Sequence, residues 1–153
     1  MKLCFLDIDG VLNSRAFYHR VGLIPHPWLD PEAIARLDRL CREADAAIVL
    51  SSAWRGDDRT PAWLYERGLS VPIIGCTGWA GPTGNRGGEI AAWLADHGVK
   101  LGVEQFVILD DHDDMDDLRP YLVQTDHATG LLDHHVERAL ALLLAPAGLR
   151  GAR

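Results

Sequence analysis

The sequence predicts a three-layer α/β fold in which a mostly parallel central sheet of about five strands is covered by helices on both faces. Three observations carry that expectation. Short apolar runs at 3–6 (LCFL), 46–50 (AAIVL) and 106–109 (FVIL) stop abruptly at polar residues, and amphipathic stretches with helical spacing lie between them. The length, 153 residues, suits one domain with one substantial core.

Residues 3–6 are too short for a helix and, with Gly10 close behind, read as a buried strand. An irregular excursion rich in aromatic residues and proline covers 13–29, so 14–30 is expected to form a flap-like insertion. Residues 31–44 place Ile34, Leu37, Leu40 and Cys41 at helical spacing, with Asp30 as cap and Pro31 in the first turn. The run 46–50 is the second strand. A weaker helix at 60–67 and a short strand at 71–74 come next, then a Gly-rich connection over 76–88 whose only charge is Arg86. Residues 88–97 form a helix with Ile90, Trp93 and Leu94 on one side and Gly98 as its stop. After the strand at 106–109, residues 122–124 predict a last strand and 133–144 a helix with Val136, Leu140 and Leu143 facing inward. The domain is expected over 1–146, with 147–153 as a loose tail.

Composition narrows the function. Apolar residues at 48% and charged residues at 24% fit a folded globular chain and not a disordered one. The net charge of −7 disfavours unaided binding along a nucleic-acid backbone, although a local patch or a bound cation can still hold one phosphate. Cys4, Cys41 and Cys76 have neither zinc-site nor redox spacing and read as idle thiols. With no apolar leader after Met1 and no run of membrane-spanning length, the expected location is cytoplasmic.

In parallel sheets ligands gather beyond the carboxyl ends of the strands. Three of the apolar runs end there in chemistry-bearing residues: Asp7-Ile8-Asp9-Gly10, Ser51-Ser52 and Asp110-Asp111. Two residues apart, the carboxylates of Asp7 and Asp9 can face one pocket with Ile8 packed behind, while Gly10 permits close approach of the backbone to a ligand. Such a pair requires a cation or a shared proton. Alternatively, DIDG is an acidic turn capping local amides. Oxygen donors from this turn and from the cluster Asp110, Asp111, Asp113 and Asp114 suit a hard ion such as Mg²⁺, with Asp110 the favoured ligand. The Ser51 hydroxyl can donate to a phosphoryl oxygen, and Ser52 can do so or cap the next turn of the chain. Arg86, just before a helix, can hold an anion together with helix amides. His112, His134 and His135 read as solvent-facing.

Taken together, these residues resemble the phosphatase branch of the haloacid dehalogenase-like (HAD) superfamily. DIDGVLN (7–13) looks like its first motif, Ser51 its second, Arg86 its third and Asp110-Asp111 its fourth. More narrowly, DIDGVLN, SSAWR (51–55) and RGGEIAAWL (86–94) look like HAD domains of RNA-repair proteins. The resemblance implies a Rossmann-like fold and Mg²⁺-dependent hydrolysis of a phosphate monoester. In it Asp7 is the nucleophile and Asp9 the proton carrier. Mg²⁺ lies on Asp7, the Asp9 carbonyl and Asp110, completed by Asp111 or Asp114, and Ser51, Ser52, Gly10 and Arg86 surround the phosphate. An Asp at position 9 separates the chain from dehalogenases and transport ATPases.

Neither 13–30 nor 52–85 is long enough for a lid, so the chain looks capless and suited to a large or exposed substrate such as a nucleic-acid end. Arg15, His19 and Arg20 with Phe17, Tyr18 and Trp28 can form a stacking platform there or pack the flap onto the body, the second being favoured. A small-molecule phosphatase acting on nucleotides or sugar phosphates and a non-catalytic phosphate-binding module are the other readings.

Overall fold

The computed structural model describes residues 1–79 and 84–146. The expected tail at 147–153 and part of the Gly-rich connection, 80–83, lie outside the described residues.

Five strands form one sheet: β1 (Lys2–Leu6), β2 (Ala46–Leu50), β3 (Ile73–Cys76), β4 (Gln105–Asp110) and β5 (Leu122–Gln124), in the order β3-β2-β1-β4-β5. Every pairing is parallel, so the sheet is wholly and not just mostly parallel. The helices are α1 (Arg15–Val21), α2 (Pro31–Ala44), α3 (Thr60–Glu66), α4 (Arg86–His97) and α5 (Asp133–Leu144). Alternation along β1 divides the core: Cys4 and Leu6 pack with Ile34 and Leu37 of α2 and Val136 and Leu140 of α5, while Leu3 and Phe5 pack with Ile90 and Trp93 of α4. Helices therefore cover both faces, with no separate cap among the described residues. None of the described helices is long and apolar enough to cross a membrane.

Several boundaries differ from the sequence reading for local reasons. The excursion after Asn13 contains α1, started by Ser14, whose hydroxyl accepts the Phe17 N–H at 3.1 Å. The third strand lies at Ile73–Cys76, with an irregular register against β2 between Ile48 and Val49. Helix α4 begins at Arg86 because the Asn85 side chain caps it, accepting the Gly88 N–H at 2.8 Å. Short 3₁₀ helices at Ala53–Gly56 and Asp116–Tyr121 were not expected. His112 and His134 are exposed, but His135 is not: it is 5% exposed, and its Nδ1 accepts the Leu132 N–H at 2.9 Å. Burial, with His134 and Arg138 nearby, lowers its pKa to about 4. Cys4 and Cys41 are buried and Cys76 is exposed, all three unbridged.

Candidate active site

The carboxyl rim of the sheet is built by continuing the strand ladders one residue further. Asp7 donates its N–H to Leu109 O (3.0 Å), Ser51 to Leu6 O (2.9 Å), Thr77 to Leu50 O (2.9 Å) and Thr125 to Asp110 O (3.0 Å). Backbone pairing thus sets these residues in one layer. Strand order reverses direction between β1 and β4, so Asp7 and Asp110 stand at the switch point, where a crevice is forced open because successive connections leave on opposite faces.

Both acids are buried, Asp7 to 6% exposure and Asp110 to 1%. The Arg86 guanidinium lies between them, its Nε 3.4 Å from Asp110 Oδ2 and its Nη2 3.9 Å from Asp7 Oδ1. Burial, reinforced by the charge of Asp110, pushes the Asp7 carboxyl up to about 8 despite Arg86. Burial likewise raises Asp110 to about 6, against the opposing pull of the His112 N–H and Arg86. Asp110 Oδ1 accepts the His112 N–H at 3.0 Å, whereas its buried Oδ2 has no hydrogen-bond partner among the described residues.

Asp9 is at the same rim and is held by two donors of its own. It is exposed, and each of its oxygens takes a donor: Asn13 Nδ2 at 2.8 Å on Oδ1 and Trp54 Nε1 at 3.1 Å on Oδ2. Ile8 is fully buried behind the two acids, as the alternation required. Gly10 has φ +79°, and a Cβ there would fall 2.4 Å from Asp111 Oδ2, so glycine is required for the acidic loop to close against the first turn. Gly10 N–H donates to Asn13 Oδ1 at 3.0 Å, and the Thr125 hydroxyl donates to Gly10 O at 2.7 Å.

Ser51 is fully buried, and its Oγ has no hydrogen-bond partner among the described residues. Ser52 Oγ is committed locally, accepting the Trp54 N–H at 3.1 Å and starting the 3₁₀ turn. Asp114 is tied to α4, its Oδ2 accepting the Arg86 N–H (3.2 Å) and its carbonyl the Gly87 N–H (2.9 Å). A Cβ on Gly87 would lie 2.4 Å from the Met115 carbonyl, so the two segments are in direct backbone contact. Asn85 Nδ2 adds a bond to Asp116 Oδ2 at 2.8 Å.

The sequence reading did not single out the group that buttresses Arg86. Arg55, its side chain 2% exposed, donates to Ser51 O (2.8 Å), Ser52 O (2.9 Å) and Glu89 Oε2 (3.0 Å), and stacks 3.6 Å over the Trp79 ring. Glu89 Oε2 also lies 3.8 Å from Arg86 Nη1. A further buried hydroxyl, Thr77, lies along the rim without a partner among the described residues.

The donor chemistry at the switch point suits a hard divalent cation: two buried carboxylates, one with an orphaned oxygen, and Asp111 beside them. Asp110, Asp111 and His112 offer ligand atoms within 4.8 Å of one another, but an imidazole is a poor ligand for such an ion. A family model, the HAD domain in Swiss Army Knife RNA repair proteins, matches residues 3–136. The chain belongs to this family. The matched region runs from β1 into α5 and so includes the rim residues from Asp7 to Thr125. No curated protein and no solved structure matches the chain.

Proposed function

We propose that this HAD domain is a phosphatase that hydrolyses a phosphate monoester through an aspartyl-phosphate intermediate, on the end of a nucleic-acid strand. The observation that carries the reading is the switch-point cluster: Asp7 and Asp110 buried side by side with Arg86 between them and the unpartnered Ser51 hydroxyl on the same rim. The family description, a domain of RNA repair proteins, supports the substrate class.

Asp7 Oδ attacks phosphorus in line, forming the O–P bond as the bond to the leaving oxygen breaks. Asp9 gives its proton to that oxygen, releasing the alcohol of the strand end. Asp9 then takes a proton from water, whose oxygen attacks the aspartyl-phosphate and frees inorganic phosphate and the Asp7 carboxylate. Ser51, Arg86 and the backbone at Gly10 hold the phosphoryl oxygens, with Ser52 at the margin of that set. Asp7, the Asp9 carbonyl, Asp110 and Asp111 would hold Mg²⁺, which when bound neutralises charge between carboxylate and phosphate. Asp114 is left to fix the start of α4.

The domain at 1–146, with the flap at 14–30 as the only insertion over the crevice among the described residues, leaves room for a substrate larger than a metabolite. The test is release of inorganic phosphate, with Mg²⁺, from a 3′-phosphorylated oligonucleotide, a mononucleotide and a phosphotyrosyl peptide side by side. The oligonucleotide is expected to have the highest kcat/KM. No release from any ester, or release undiminished in Asp7→Asn, overturns the proposal.

A further inference from the structure

The flank of the crevice next to Asp9 is aromatic. Trp54, whose indole N–H holds Asp9, has its ring centroid 5.0 Å from that of His26. His26 is also 5.2 Å from Trp63 and 5.7 Å from Trp28, and Trp28 is 5.9 Å from Tyr18. Of the flap's aromatic residues Phe17 is buried, at 3% exposure, whereas Tyr18 is 37% and Trp28 42% exposed and His26 is exposed as well. A cavity of about 480 Å³ opens between Tyr18, Gly22, Leu23 and Trp28. Asn13 ties this flank to the chemistry: one Nδ2 donates to Asp9 Oδ1 at 2.8 Å and to Trp28 O at 3.2 Å.

We infer that this flank is the leaving-group subsite and takes the terminal nucleobase of a phosphorylated single strand, stacked on the exposed Trp28 ring, with Tyr18 and His26 nearly perpendicular to that ring (86° and 87°) at its sides. The inference rests on the phosphatase reading, because it is Asp9 that marks where the leaving oxygen lies. With phosphorus at Asp7 and that oxygen at Asp9, the sugar and base attached to it extend along Trp54 and its ring neighbours. Charge points the same way. At −7 net, with Asp7, Asp9, Asp110 and Asp111 crowding the crevice, the chain cannot take its affinity from a row of backbone phosphates. Stacking on a base has no such requirement and is sequence-tolerant.

The experiment compares kcat and KM, with Mg²⁺, for oligonucleotides carrying a 3′-phosphate on a terminal nucleoside or on a terminal abasic sugar. The abasic end is expected to show a KM raised about tenfold or more, with kcat little changed. Trp28→Ala brings the ratio of the two KM values close to one. Trp28→Phe keeps a ring but loses the indole N–H bond to Ile24 O (2.7 Å), and is expected to keep most of the ratio. Salt from 50 to 200 mM changes KM for the base-bearing end only weakly, in contrast to a protein gripping many phosphates. Equal KM values for the two ends, equal loss in the Ala and Phe variants, or a phosphotyrosyl peptide outperforming the base-bearing end overturns the inference. Turnover of the abasic end, lost in Asp7→Asn, keeps the phosphatase reading standing in each of those cases, whereas no turnover of either end removes both.

Discussion

Arg55 and Arg86 lie on the same rim and share Glu89, and their surroundings differ in kind. Arg55 is held closely: the carbonyl oxygens of Ser51 and Ser52 and the Glu89 carboxylate accept from its two Nη atoms and the Trp79 face covers its plane, while its buried Nε has no hydrogen-bond partner among the described residues. Arg86 has three acids around it at 3.4 to 3.9 Å, none in hydrogen-bond geometry, and its Nη1 has no hydrogen-bond partner among the described residues. A buried charge bonded at hydrogen-bond distance to backbone and carboxylate belongs to the scaffold, because removing one partner strands the other. One held at a distance from several acids keeps its donors for a ligand, at some cost to the free protein.

The largest effect expected is on turnover. Asp7→Asn should lower phosphate release at least about a thousandfold, measured as inorganic phosphate, since a nucleophile acts with its partners as a unit. Arg55→Ala should cost about 3–5 kcal/mol of stability through loss of the buried Arg55–Glu89 pair and of the bonds to the Ser51 and Ser52 carbonyls, read in thermal denaturation as a fall in Tm of about 10 °C. Arg86→Ala should do the reverse, losing about a hundredfold in kcat with a much smaller change in Tm. If both arginine variants unfold alike, the distinction fails.

A third expectation concerns pH. Asp7 and Asp110 have folded pKa values near 8 and 6, above the unfolded carboxylate value of about 3.9. The folded state therefore binds more protons than the unfolded state in that window, and the contribution of these groups to stability is lost as pH rises through it. The metal-free Asp7→Asn protein should accordingly be more stable than the parent, by a margin in Tm that widens from pH 5 to pH 8. Mg²⁺ should narrow that margin by stabilising the parent.

The smallest effect belongs to a site away from the rim. His135 has a folded pKa of about 4, below its unfolded value of about 6.5, so its contribution is full above pH 6.5 and is lost as pH falls toward 4. His135→Gln should remove a few degrees of that acid-side decline in Tm while leaving turnover at neutral pH unchanged.

Much of this was legible in the chain. The apolar runs that became β1, β2 and β4 are short, uninterrupted and stopped by acids or serines, so burial on both faces and a shared rim followed from the sequence alone. The acids at 7, 9 and 110 and the hydroxyl at 51 were found by their place at strand ends. Helix α1 was not, because RAFYHRV has one buried residue and no apolar stripe, and its Ser14 cap is legible only once the turn before it is known. The Arg55–Glu89 pair joins residues 34 apart through tertiary packing and leaves no local periodicity to read. The bond from Trp54 to Asp9 likewise depends on where a 3₁₀ turn places an indole.

The backbone contact between Gly87 and Met115, with the Asp114 bonds to Arg86 and Gly87, makes the acidic loop and the first turn of α4 one mechanical part. One residue inserted between 110 and 114 would throw the cation of α4 out of register with the acids it faces, so that short stretch tolerates no change of length.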